Sequence, residues 1–61
     1  MSNFLIVESY NKRRGYCNGS YKVIYEGWLD TGIDKKILGS FIAENYNDAG
    51  ELFNSWLEGE K

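Results

Sequence analysis

Only one segment of this chain repeats its apolar residues with a helical period, and that limits what the rest can become. Ala49, Leu52, Phe53, Trp56 and Leu57 fall at i, i+3, i+4, i+7 and i+8, which on a helix gathers them into one apolar stripe. The spacing predicts a helix over 48–58, about three turns long. Asp48 and Glu51 stand at capping-box separation, Asn47 is a competing cap, and Gly59 stops the helix. Gly50 inside it costs about 1 kcal/mol relative to alanine, so the helix needs a sheet to rest on.

The preceding residues read as strands. Residues 4–10 are rich in β-branched and aromatic side chains, 20–31 form a stronger second run, and 35–44 a third. Asn18-Gly19 is the dipeptide preferred by a type I′ turn, and Thr31 to Asp34 offers a second reversal. Arg13-Arg14-Gly15 is the alternative first tip, with Asn18-Gly19 as a bulge, and both are compatible with the sequence. The expected fold class is α+β: a three-stranded antiparallel meander followed by one C-terminal amphipathic helix packed on one sheet face, all within a single domain.

No covalent staple supports such a domain. With 61 residues, one cysteine (Cys17) and no histidine, neither a disulfide framework nor an ordinary metal cage can form, so the core stabilises alone. The lone thiol suits a reducing compartment, and the apolar run Phe4 to Val7 is too short for a signal core or a membrane span. A soluble, cytoplasmic protein without membrane contact is expected, in a bacterial host cell if the chain is phage-derived.

Pairing the second strand with the third across the second reversal sets Asp30 opposite Lys35, Trp28 opposite Ile37 and Ile24 opposite Phe41. Alternation then places Ile24, Trp28, Ile37, Phe41 and Ala43 on one face and Tyr21, Val23, Tyr25, Leu29, Leu38 and Ile42 on the other. Both faces are apolar, and one short helix covers only one of them. The surplus predicts an exposed aromatic face that meets another protein or a second copy of the chain. Its candidate contacts are Tyr21, Tyr25, Leu29 and Leu38, with Lys12, Arg13 and Arg14 at the rim.

Catalysis has little to work with. The absence of histidine removes Ser-His-Asp and Cys-His arrangements, Cys17 has no base beside it, the carboxylates lack metal-loop spacing, and no glycine-rich phosphate loop precedes a helix. No enzyme, cofactor or metal is expected.

Positive charge gathers only in "NKRRGYCNGSY", residues 11–21. Its cations and tyrosines suit single-stranded nucleic acid, through Lys12, Arg13, Arg14, Tyr16 and Lys22. Yet the chain carries a net charge of −2 and a pI near 4.9, and a nucleic-acid binder is normally basic. A hairpin whose basic stems lie along neighbouring rings is the preferred reading.

Three strands and a helix ending in Asp48-x-x-Glu51-x-x-x-Ser55-Trp56-x-x-Gly59 resemble, over about residues 20–59, two kinds of small phage-associated protein. One is the group of short phage anti-CRISPR inhibitors, some of them compact sheet-plus-helix proteins. That resemblance implies a non-enzymatic inhibitor that occludes a host defence protein or complex. The other is the arm-type DNA-binding domain of tyrosine recombinases, whose sheet enters the major groove. It would use Lys22 here, but beside Glu26 and Asp30, which repel phosphate. The inhibitor reading comes first, with a small DNA- or RNA-binding domain and a structural homodimer as the alternatives.

Overall fold

A computed structural model describes residues 1–9, 14–30 and 32–59, with the backbone alone at Lys35. It has four strands and one helix: β1 Ser2–Ser9, β2 Tyr16–Asn18, β3 Tyr21–Tyr25, a 3-10 turn Glu26–Trp28, β4 Asp34–Ala43 and α1 Tyr46–Gly59. The α+β class with an antiparallel sheet and a C-terminal helix holds, whereas the three-stranded meander is corrected. The sheet has the order β2-β3-β1-β4, with the first strand in its interior.

The composition of β1 accounts for that position. Phe4, Leu5, Ile6 and Val7 form an uninterrupted apolar run and all four are buried, as suits a strand covered on both faces. Phe4 pairs with Tyr25 on one side and with Phe41 on the other. The expected pairing of Ile24 with Phe41 is therefore displaced, and Ile24 faces Leu5 instead. Trp28 lies in the 3-10 turn and takes no strand partner.

The hairpin between β2 and β3 turns at Gly19 and Ser20, one residue beyond the expected Asn18-Gly19 position. Asn18 pairs with Tyr21, Cys17 with Lys22 and Tyr16 with Val23. Gly19 has φ of 65° and Ser20 a negative φ, which fits a type II′ turn rather than type I′.

Because β1 is antiparallel to both β3 and β4, those two strands are parallel to each other. The chain leaves β3 at Tyr25, beside Phe4, and enters β4 at Asp34, beside Ser9. The connection from Tyr25 to Asp34 therefore runs along β1, and Leu29 within it lies on the sheet face opposite α1. Leu29 in this crossover packs against buried Leu5, Val7 and Ile24. The other face holds Phe4, Ile6, Val23 and Ala43 beneath Ala49 and Phe53 of α1. Over β1 and β3, then, both faces are covered within one copy: one by the helix, the other by the crossover.

Two irregularities shape β4. Ile6 pairs with Gly39 but Val7 with Ile37, and Glu8 pairs with Lys36 but Ser9 with Asp34, so Leu38 and Lys35 are extra residues. Each such bulge shifts the parity of the strand. Leu38 and Phe41 consequently both pack on the helix side, which strict alternation forbids.

Helix α1 starts two residues before the predicted position. The Asn45 side-chain oxygen accepts the Asp48 backbone N–H at 3.0 Å, which makes Asn45 the N-cap. The buried stripe is Ala49, Gly50 and Phe53, with Trp56 and Leu57 partly covered. Leu52, assigned to the stripe by spacing, lies on its flank, 47% exposed.

Candidate interaction surfaces

The residues expected to line an open aromatic face are divided between the two layers. Tyr21, Tyr25 and Leu38 pack against the helix-side core. The Tyr25 ring lies 4.6 Å from Phe4, 4.6 Å from Tyr46 and 5.1 Å from Trp28, and Tyr21 meets Trp56 edge-on at 5.8 Å. Leu29 belongs to the crossover on the opposite side. These four positions do not form one exposed patch, because α1 packs on the face that carries Tyr21, Tyr25 and Leu38, and Leu29 lies in the crossover on the other face.

Of the basic positions, Arg14 is exposed, and Lys12 and Arg13 lie outside the described residues. Tyr16 is 47% exposed, its ring edge-on to Phe53 at 6.1 Å. Lys22 does not belong with them. Its side chain is 3% exposed, and Nζ sits 3.1 Å from the Asp34 carboxylate, so it cannot reach a phosphate outside. Burial pushes the Asp34 carboxyl up, but the Asp30 backbone N–H, Ser9 and Lys22 outweigh it and hold the group below its ordinary value.

Cys17 donates a weak hydrogen bond to the Arg14 carbonyl, at 3.9 Å. Among the described residues, no three His, Cys, Asp or Glu side chains gather as a metal site, and no helix is long and apolar enough to cross a membrane.

The outer margin of β4 is among the apolar areas the fold leaves uncovered, beside Trp28, Ile33 and Leu52. Ile37 is 53% and Ile42 62% exposed. Their β1 partners, Val7 and Asn3, place both on the crossover side of the sheet. The strand is terminal in the sheet order, so its outer backbone groups have no neighbour among the described strands. Strict alternation puts Ile37 and Ile42 on opposite faces. An alternation that allowed one bulge near Gly39 would have united them.

No family model matches the chain, and no curated protein or solved structure matches it.

Proposed function

We propose that this protein is a non-enzymatic protein-binding module that docks through the β4 margin, in the manner of an inhibitor occluding a host defence protein. The observation that carries the reading is the pair of exposed isoleucines on a ten-residue strand with an open edge. Apolar side chains beside unpaired backbone groups are what a partner strand or a hydrophobic pocket engages. The absence of histidine supports binding over catalysis.

Pull-down from a bacterial lysate tests it, with wild type compared against Ile37→Ser/Ile42→Ser and against Leu52→Ser as an exposed apolar control. A specific partner kept by the control and lost by the double variant is the expected result. Equal recovery by all three sinks the reading.

The same open edge favours a second reading, a structural homodimer joined through β4. Sedimentation equilibrium separates the two: a dimer at tens of micromolar that the double variant converts to monomer supports self-pairing. For nucleic acid, Arg14 and Tyr16 are the described residues that stay accessible.

A further inference from the structure

A second surface lies on the helix side of the sheet, away from the β4 margin. Two cavities, about 330 and 610 Å³, lie between α1 and the β2–β3 hairpin, and Asn54 lines both, so they adjoin. Tyr16 lines the first and Tyr21 the second. Tyr16 pairs with Val23, two residues from Tyr21, which makes the two tyrosines diagonal neighbours about 7–8 Å apart. Each ring is steadied from one side, Tyr16 edge-on to Phe53 and Tyr21 edge-on to Trp56, and still borders open space. The polar groups around them are chiefly carboxamides: Asn47 and Asn54 on α1, and Asn18 on the hairpin. Glu51 and Glu58 complete the helix wall, and among the described residues no lysine or arginine lines either cavity.

We infer that this cleft binds a short neutral oligosaccharide through its side chains. A sugar hydroxyl donates and accepts at once, and a carboxamide answers both needs while a carboxylate takes the donated hydrogen. The flat side of a sugar ring presents weakly positive C–H groups, which the negative face of a tyrosine ring attracts. Two such rings set one after the other along the cleft suit linked sugars better than one compact ligand. The size agrees. At about 30 Å³ for each water-sized group, the smaller cavity holds about eleven, close to one hexose, and the two together hold about thirty, close to a trisaccharide. Charge sets aside the other small ligands. Glu51 and Glu58 repel phosphates and sugar acids. A cation is disfavoured at the Tyr46 end, because the first turn of α1 carries the positive end of the helix dipole, and because exposed Arg14 adjoins Gly15 in the same cavity.

The test titrates the isotope-labelled full chain with maltotriose, cellotriose and triacetylchitotriose at millimolar concentration and follows the amide chemical shifts. At least one of the three should bind and move the amides of residues 15–21 and 46–58. Its affinity should not fall with added salt, because the ligand is uncharged. Asn54→Ala, at an exposed position shared by both cavities, should weaken binding about threefold to tenfold, the scale of one lost hydrogen bond. Tyr16→Leu should weaken it about threefold or more through the lost ring face; should that variant fail to fold, Asn54→Ala carries the test alone. Ser55→Ala, outside both cavities, should change nothing, and neither should Ile37→Ser/Ile42→Ser, so the outcome is separate from that of docking through β4. No binding by any of the three trisaccharides, unchanged affinity in Asn54→Ala, tighter binding of the cation agmatine than of the best trisaccharide, or shifts confined to β4 each overturns the inference.

Discussion

Lys22 Nζ and Asp34 Oδ1 are 3.1 Å apart, with both side chains almost sealed from water at 3% and 2% exposure. The pair joins two strands that never touch, since β1 lies between β3 and β4. It also ties down the end of the crossover, because Asp34 accepts the Asp30 backbone N–H at 2.9 Å. Removing one partner strands the other charge in the interior. Lys22→Met should therefore lose about 3–5 kcal/mol, a large part of what so short a chain holds. Adding Asp34→Leu should recover only part of the loss, because that change also removes the acceptor of the Asp30 N–H. Urea unfolding of the two variants checks the order.

The same pair sets an acid dependence. The folded Asp34 pKa lies below its ordinary value, so the native state favours the ionised form more than the unfolded chain does. That contribution is fully present above the unfolded value of about 3.9. It is lost as pH falls through the folded pKa. Urea midpoints measured from pH 7 downward should drop on the acid side of about pH 4, and Asp34→Asn should flatten that part of the curve while lowering stability at pH 7. An unchanged slope in Asp34→Asn contradicts the assignment.

Two glycines with positive φ differ in what surrounds them. Gly15 has φ of 77°, and a Cβ there would stand 2.2 Å from the Val23 carbonyl oxygen and 2.5 Å from Ile24. Gly19 has φ of 65° and open space around it. Gly19→Ala should lose about 1–2 kcal/mol from backbone strain alone. Gly15→Ala meets the strain and a backbone collision, and should lose roughly 3 kcal/mol or more. Thermal unfolding of the pair measures the difference, and equal losses would mean that Gly15 does not press against β3.

What was legible in the sequence is what local pattern controls. The helix followed from five apolar positions, the last strand from its β-branched run, and the hairpin from Asn18-Gly19, within one or two residues. Long-range choices left weaker marks. The interior place of β1 was written in four consecutive buried residues, Phe4 to Val7, but neighbouring strands usually pair first, and that default produced a meander. Once β1 is inserted, the connection from β3 to β4 changes from a tight reversal to a crossover, and Leu29 covers Leu5, Val7 and Ile24. The bulge at Leu38 then moves Ile42 off the face that alternation gives it with Tyr21 and Tyr25, and brings Phe41 onto that face.

Gly50 shows how closely the helix is fitted to the hairpin, and it gives the cheapest test of that contact. It is buried inside α1 and faces the Tyr16 ring, yet a Cβ built there would be 3.8 Å from the nearest ring carbon. That is ordinary contact rather than overlap. The space therefore admits alanine, and alanine removes the helix penalty of about 0.8–1.0 kcal/mol carried by glycine. Gly50→Ala should raise stability by about 1 kcal/mol, read as a higher urea midpoint with the slope unchanged. Gly50→Val adds two methyl groups toward Tyr16 and should reverse the gain. If alanine destabilises the protein as well, α1 lies closer to β2 than the 3.8 Å spacing between Gly50 and the Tyr16 ring implies.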